Sequence, residues 1–286
     1  MAKKQESPLI IPNTTFTLTF VWNDIAATYQ KTLTRLAKRL SVPGFRTGTV
    51  PAAVAEEQID AQMIVEQTLQ QLLPERYSQE ITKQHFYPLT SPDFRLVSSG
   101  KNQDWVIEVR VAAKPPLVLK DYQKVVSEAK QAAAAAIAKE KTKPKEHEER
   151  SIQLQFIYGK LAEKFRPQVP ELLLKREIEQ DVENMNTQLK RLNLTLADYL
   201  KRNELTEQTF SQQVTVRALT RLQSILLTDA IAQLEEITID EKAIDTTIDA
   251  LPETDFGKKE RSNPDYRANL HQTLFTQAVH NHLLKN

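Results

Sequence analysis

Cysteine is absent from the 286 residues, and glycine is scarce. Without cysteine the chain has no disulfide framework, no thiol nucleophile and no thiolate metal site. Five glycines leave little room for a phosphate-binding loop, and neither of the two common nucleotide-binding glycine motifs occurs. Because turns also depend on glycine, this composition argues against a turn-rich all-β fold. The sequence therefore predicts a mostly helical protein.

Signals for export and for catalysis are also missing. Residues 1–12 hold only three consecutive apolar residues, whereas a signal peptide needs a run of about 7–15. We therefore expect a cytoplasmic protein. The five histidines show no metal-binding spacing, and no serine lies in a nucleophile elbow. We expect no catalytic residue, no metal site and no cofactor.

The charge of the chain is balanced overall but uneven along its length. Lysine and arginine number 38 against 37 acidic residues, which gives a net charge of +1. So small a net charge argues against an overall electrostatic attraction to nucleic acid or to membranes. Residues 31–46, however, hold five basic and no acidic residues, and residues 228–255 hold nine acidic residues against one lysine. The two ends of the chain should therefore present different surfaces.

The first third of the chain has strand patterns on both sides of helical patterns. Apolar and polar residues alternate over 14–20, as in a half-buried strand, and two more strands are predicted at 94–97 and 105–111. A helix from about residue 24 to 40 carries an apolar stripe at spacings of three and four. The resulting order, β-α-α-α-β-β, predicts a small α+β domain over residues 1–120.

The composition changes after residue 120. Residues 121–150 are rich in alanine, lysine and glutamate. Alanine favours helix but buries little surface, so we expect a linker or a solvated helical strut in this segment. From 151 to 286 apolar residues recur at helical spacing, which predicts an all-α domain with long helical arms. The longest predicted helix, 206–234, would extend about 43 Å.

A loop with an exposed tip is predicted at residues 43–51, P-G-F-R-T-G-T-V-P, after the basic helix. Gly44 and Gly48 lie in it, and turns use glycine where φ is positive. The prolines stiffen both ends. Phe45 and Arg46 should point outward, and an exposed aromatic residue beside an arginine is typical of an interaction hot spot. The preceding helix adds basic residues suited to phosphate contacts: Arg35, Lys38 and Arg39.

This loop, G-F-R-x-G-x-V-P over 44–51, resembles the signature of the ribosome-binding domain of bacterial trigger factors. Residues 169–178, 195–200, 217–231 and 239–244 are similar to the C-terminal helical part of that family. The resemblance implies a chaperone that needs neither ATP nor a cofactor. It would dock at the exit tunnel of the ribosome and shield nascent chains in a helical cradle.

The resemblance also implies partners and site residues. The partners are an exit-tunnel protein, ribosomal RNA, and unfolded or nascent polypeptides, with no membrane and no nucleotide. Ribosome binding is assigned to the loop and to the basic helix before it: Gly44, Phe45, Arg46, Gly48, Arg35, Lys38 and Arg39. The cradle is assigned to residues 151–286.

Two departures from the family pattern are visible. The family usually carries lysines where this chain has Thr47 and Thr49, so the tip has fewer charges and weaker ribosome binding is expected. The family also has a prolyl isomerase domain between its other two domains. Residues 121–150 are too short and too poor in glycine and aromatic residues for that fold. A shortened form without isomerase activity is therefore expected.

Two other functions stay open from the residues alone. One is an interaction module or holdase that does not bind the ribosome. The other is an enzyme with catalytic carboxylates in the helical domain. A pocket with convergent carboxylates of strongly shifted pKa favours the enzyme, and a broad apolar concavity favours the chaperone.

Overall fold

The computed structural model describes residues 8–46, 48–139, 144–251 and 254–285, except for the side chains of residues 255, 256 and 258. Two compact units are present. Pro12–Lys114 with Pro170–Arg176 form what we call the α+β unit. The described residues up to Ile11, with Pro115–Val169 and the described residues from Glu177 onward, form the helical unit.

The first half of the chain contains both strands and helices, and helices dominate the second half. The first half contains β1 (Ile10–Ile11), β2 (Thr14–Phe20), α1 (Trp22–Ala37), α2 (Ala52–Gln58), α3 (Ala61–Gln84), β3 (Asp93–Ser98), β4 (Trp105–Val111) and α4 (Tyr122–Ile137). The second half contains α5 (Glu146–Phe165), β5 (Val169–Pro170), α6 (Glu171–Arg191), α7 (Leu196–Arg202), α8 (Glu207–Leu234), α9 (Glu241–Asp249), α10 (Asp255–Arg261) and α11 (Pro264–Lys285).

The α+β unit is an antiparallel sheet with helices α1, α2 and α3. The strand order is β2-β4-β3, so β4 is central and pairs with both neighbours. Every second residue of β4 is buried, which gives the sheet one core face. The apolar stripe of α1 packs against that face through Ile25, Tyr29 and Leu33. The predicted order β-α-α-α-β-β is confirmed.

The helical unit has its core between α4, α5, α8 and α11. Its buried cluster includes Val126, Ile157, Leu161, Ile231 and Val279. The predicted all-α part with long helices is confirmed, since α8 alone has 28 residues. At the start of the chain, β1 pairs with β5 in a two-stranded sheet, and the N–H of Val169 donates to the carbonyl oxygen of Leu9 at 2.8 Å.

Helix α4 differs from the solvated strut that its composition suggested. Tyr122, Val126, Ala129 and Ala133 are buried, and the helix packs along α5. Small alanine side chains let two helix backbones approach closely, so alanine can be buried even though it contributes little surface itself. Residues 140–143 of the expected linker lie outside the described residues.

A polar contact fixes the start of α4 to two other helices. The Tyr122 hydroxyl donates to Glu235 Oε1 at 2.7 Å, at the end of α8, and lies 3.3 Å from His282 Nε2 of α11. Burial, followed by the hydrogen bond to Glu235, raises the pKa of Tyr122. The phenol therefore remains a protonated donor, as a hydrogen bond to a carboxylate requires.

The packing of α4 can be tested with a matched pair of substitutions. We expect Ala129→Leu to lower the free energy of unfolding by about 1–3 kcal/mol, because the added atoms have no room in a filled interface. Ala135→Leu, the same change on the exposed face of α4, should alter it by less than about 0.5 kcal/mol. Urea unfolding followed by circular dichroism measures both. Equal stabilities would mean that α4 is solvated.

Candidate functional site

The loop between α1 and α2 spans residues 38–51, and its part from 41 to 51 is anchored at its ends and exposed at its tip. Val50 is buried in the core of the α+β unit, and Val42 packs against the same core. Pro51 has extended φ and ψ angles at the N-cap position of α2. Between these anchors Phe45 is 41% exposed and Arg46 is exposed as well. The two residues expected at the tip are therefore both accessible.

The first half of the tip is a turn from Val42 to Phe45. The N–H of Phe45 donates to the carbonyl oxygen of Val42 at 3.1 Å. Pro43 and Gly44 stand between them, and Gly44 has φ of 89°. Proline followed by a glycine with positive φ is the signature of a type II turn. Residues with a side chain rarely adopt this φ, so the turn requires glycine at this position.

The second half of the tip is a turn from Arg46 to Thr49. Both the N–H and the hydroxyl of Thr49 donate to the carbonyl oxygen of Arg46, at 3.0 and 2.7 Å. Gly48 also has φ of 89°, and a Cβ added to it would lie 3.9 Å from the Lys38 carbonyl oxygen. This turn therefore lies beside the end of α1. Thr47 is outside the described residues.

The basic side chains of α1 and its C-terminal extension are exposed. Arg35 Nη2 donates to Gln67 Oε1 of α3 at 2.7 Å, a neutral partner that leaves its charge in place. Within the described residues the side chains of Lys38, Arg39 and Arg46 form no ion pair. A cationic surface without acidic partners attracts phosphate groups or acidic protein surfaces. The structure thus brings the predicted basic residues and the glycine-containing tip into one region of the α+β unit.

A concave surface lies in the helical unit between α5, α8 and α11. It has a volume of about 640 Å³ and an apolar floor that includes Leu154, Ala162 and Ile225. The hydroxyl groups of Tyr158 and Thr228 are 2.6 Å apart, and the ring centroids of Tyr158 and His280 are 5.6 Å apart. Burial raises the pKa of Tyr158 and lowers that of His280. Both side chains are therefore uncharged at neutral pH.

Apolar side chains are also exposed along the arm formed by α6, α7 and α8. Leu192 is 68% exposed and Val216 63%, while Ile225, which lines the groove between α5, α8 and α11, is 42% exposed. A cleft of about 650 Å³ between these helices is lined by further apolar residues, including Met185, Leu189, Tyr199 and Phe210. The helical spacing predicted the stripes themselves. It does not separate core positions from cradle positions, because both recur at three and four residues.

Among the described residues, one carboxylate with a shifted pKa is found, and it lies at a helix cap. No group of three or more histidine, aspartate or glutamate side chains that could hold a metal ion is found within the described residues. The hydroxyl and the backbone N–H of Thr195 lower the pKa of Asp198, but this pair is an exposed capping box at the start of α7. No described helix has both the length and the apolar composition needed to cross a membrane.

Curated relatives match parts of the chain. The trigger factor of Limosilactobacillus fermentum is 31% identical over 123 residues, 43% of this chain and 28% of the relative. The trigger factor of Shouchella clausii is 32% identical over 93 residues, 32% of this chain and 21% of the relative. The trigger factor of Listeria welshimeri is 35% identical over 89 residues, 31% of this chain and 21% of the relative. The matched part of the chain thus spans less than a third of the length of each of these relatives.

A solved structure has a similar fold. It is described as "Promiscuous Substrate Recognition in Folding and Assembly Activities of the Trigger Factor Chaperone" and matches with a TM-score of 0.57 over 99% of both chains. The sequence identity is 14%, so this likeness concerns the fold.

Two family models match the sequence itself. The model of the bacterial trigger factor protein (TF) matches residues 3–145, and the model of its C-terminus matches residues 125–284. The resemblance drawn from the tip motif and the helical segments is confirmed. Each model covers half of the chain or more, and the chain therefore belongs to the bacterial trigger factor family.

Proposed function

We propose that this protein is a cytoplasmic chaperone that docks at the ribosomal exit tunnel and shields nascent chains without ATP. The observation that carries the proposal is the anchored loop with Phe45 and Arg46 exposed at its tip. Membership of the family supports the chaperone activity, and the helical unit offers open apolar surfaces for clients. We assign ribosome binding to residues 1–120 and client binding to residues 151–286, with residues 121–150 between them in place of the isomerase domain.

Two kinds of contact would hold the tip on the ribosome. Arg46 would pair with a phosphate or a carboxylate, and the basic residues of α1 and of the segment directly after it would add long-range attraction to ribosomal RNA. Phe45 would insert into an apolar pocket of an exit-tunnel protein. A charged contact without an apolar anchor binds many surfaces, whereas an anchor in a pocket selects one. The combination therefore favours one docking site on an otherwise anionic particle.

Client binding would depend on the open surfaces of the helical unit. The groove between α5, α8 and α11 is largely apolar, and Tyr158 and His280 are neutral there. Leu192 and Val216 add exposed apolar surface on the arm. Unfolded chains would cover these side chains and remove apolar area from water, at about 25 cal/mol per Å². Small separate contacts exchange rapidly, so a client is released without nucleotide hydrolysis.

One observation favours a holdase that works off the ribosome as the second candidate. Thr49, where the family usually has lysine, uses its hydroxyl within the loop by donating to the Arg46 carbonyl oxygen. Threonine has no charge with which to attract a phosphate, and this hydroxyl is already hydrogen-bonded within the loop. Binding measurements on the tip decide between the two functions.

We expect Arg46→Ala to reduce ribosome binding by more than tenfold, because losing a charge-assisted interfacial contact costs about 2–5 kcal/mol. Phe45→Ala should weaken binding with little change in its salt dependence. Thr47→Lys with Thr49→Lys should tighten binding and steepen the salt dependence, since each new phosphate contact releases a counterion. Ribosome pelleting over a salt series measures all three.

The matched control for this series is Arg76→Ala, which removes the same charge from an exposed position on α3. It should pellet like the unchanged protein. If Arg46→Ala also pellets like the unchanged protein, the loop is only a helix connection and ribosome docking has to be abandoned.

The full chain should suppress aggregation of a chemically denatured client in the absence of ATP. Replacing Leu192, Val216 and Ile225 by serine should weaken client affinity by about tenfold or more, because a fully covered aliphatic side chain contributes about 1.5–3 kcal/mol. Light scattering over a titration of the chaperone measures this. The control replaces three exposed glutamines of α6, α8 and α11 by serine: Gln180, Gln208 and Gln277. Equal protection by both triple variants would contradict the cradle assignment.

Prolyl isomerisation should proceed only at its uncatalysed rate, over tens to hundreds of seconds. The two family models adjoin and overlap at residues 125–145, so they leave no separate stretch between them for the isomerase domain. A proline-peptide assay, with a known isomerase added as positive control, measures the rate. Catalysis that survives repurification of the protein would refute this expectation.

A further inference from the structure

Two large apolar side chains are exposed in the helical part of the α+β unit. Among the described residues of 22–84 these are Phe45, at 41%, and Met63, at 49%. Phe45 belongs to the tip between α1 and α2. Met63 is in the first turn of α3, whose cap is Asp60. Because Met63 lies on a different helix from the predicted basic residues, its surroundings follow from how α3 pairs with α1.

Helices α1 and α3 run antiparallel along a line of polar contacts. Gln71 Nε2 of α3 donates to Thr32 Oγ1 of α1 at 2.9 Å. About one turn later on α1, Arg35 Nη2 donates to Gln67 Oε1 at 2.7 Å. A step of one turn forward along α1 therefore meets a step of one turn backward along α3.

The next step of this register brings Met63 to the level of Arg39. Met63 precedes Gln67 by four residues, and Arg39 follows Arg35 by four, so each shares a helix face with its neighbour in the register. The backbone keeps turning beyond the end of α1, since the N–H of Arg39 donates to the carbonyl oxygen of Leu36 at 3.0 Å. The thioether of α3 thus stands beside the basic end of α1.

The tip adjoins the same basic residues. A Cβ added to Gly48 would lie 3.9 Å from the carbonyl oxygen of Lys38. The side chains of Lys38 and Arg39 are exposed and form no ion pair within the described residues. An exposed aromatic side chain and an exposed thioether therefore adjoin two cations without acidic partners. Methionine, aromatic residues and arginine are enriched in binding surfaces, because they combine adaptable apolar contact with charge.

The sulfur atom gives Met63 a chemistry that Phe45 lacks. The chain has no cysteine and three methionines, of which the structure describes Met63, exposed, and Met185, half-buried. A peroxide oxidises a thioether by transferring one oxygen atom. The S–O bond forms as the O–O bond breaks, and the proton of the transferred oxygen moves to the departing one. Sulfur loses two electrons, and the peroxide is reduced to water or an alcohol.

We propose that Met63 is a second apolar contact of the ribosome-docking surface and a modification site, whose oxidation to the sulfoxide by a peroxide weakens docking. The inference rests on the proposed ribosome docking. The ribosome would cover Phe45 and Met63 together, while Lys38 and Arg39 pair with phosphates. A sulfoxide is polar, so covering it no longer removes apolar area from water. Because methionine sulfoxide reductases reverse the oxidation, docking would follow the peroxide level reversibly.

Ribosome pelleting of the full chain, before and after treatment with hydrogen peroxide, tests this proposal. Catalase removes the peroxide before ribosomes are added, so that only the chaperone is oxidised. We expect the affinity to fall by about threefold to tenfold, because about half of the Met63 side chain is available to be covered. Mass spectrometry should find one added oxygen atom on Met63. Treatment with both methionine sulfoxide reductases should restore the affinity.

Three variants separate Met63 from other effects of the peroxide, each compared with its own untreated sample. Met63→Leu keeps an apolar side chain without sulfur, so peroxide should not lower its affinity. Met185→Leu is the matched control and should lose affinity as the unchanged protein does. Met63→Gln, a polar side chain of similar length, should dock as weakly without peroxide as the oxidised protein. An unoxidised Met63, an equal loss in Met63→Leu, or full docking by Met63→Gln would overturn the proposal.

Arg46→Ala in the same series separates this inference from the docking proposal on which it rests. If Arg46→Ala loses binding and Met63→Gln does not, the tip docks on the ribosome and Met63 has no part in it. If Arg46→Ala pellets like the unchanged protein, ribosome docking itself is wrong, and the inference about Met63 is overturned with it.

Discussion

Two backbone angles determine whether the tip of the α+β unit can form. Gly44 and Gly48 both have φ of 89°, which places one turn directly after the other and leaves Phe45 and Arg46 exposed at the tip. Val42 and Val50 then fix the loop from below. The proposed ribosome contact depends on three features of this loop: the apolar anchors, the positive φ angles, and the exposed aromatic and arginine residues.

The helical unit combines a packed core with apolar side chains that stay exposed. Two contacts stabilise one side of α8. Helix α4 packs closely on α5 through small residues, and Tyr122 of α4 donates a hydrogen bond to Glu235 at the end of α8. The arm side of α8 keeps Val216 exposed, and Ile225 is partly open to the groove. A long helix that is buried on one side can expose apolar residues on the other without losing its structure.

The sequence predicts the parts of this architecture that depend on neighbouring residues, and not those that depend on contacts between distant helices. Features that depend on residues close together in the sequence agree with the structure: the strand with alternating apolar residues, the glycine loop, and the start of α8 at Thr206. The start of α9 does not agree: Thr238, with Glu241 three residues later, fits the sequence pattern of a capping box, but the structure caps α9 with Asp240, whose carboxylate accepts from the Lys242 N–H. Burial of Ala129, and the groove around Tyr158, depend on which helices meet. Spacing along one helix contains no information about that.

The pairing of β1 with β5 has a consequence for the order in which the protein is made. Gln168 Nε2 donates to the Pro8 carbonyl oxygen across 160 positions of the chain, and Val169 binds Leu9 beside it. During synthesis the strand at residues 10–11 must wait until residues 169 and 170 have emerged, while β2, β3 and β4 are complete as soon as residue 111 has emerged. The three-stranded sheet can thus form before β1 finds its partner.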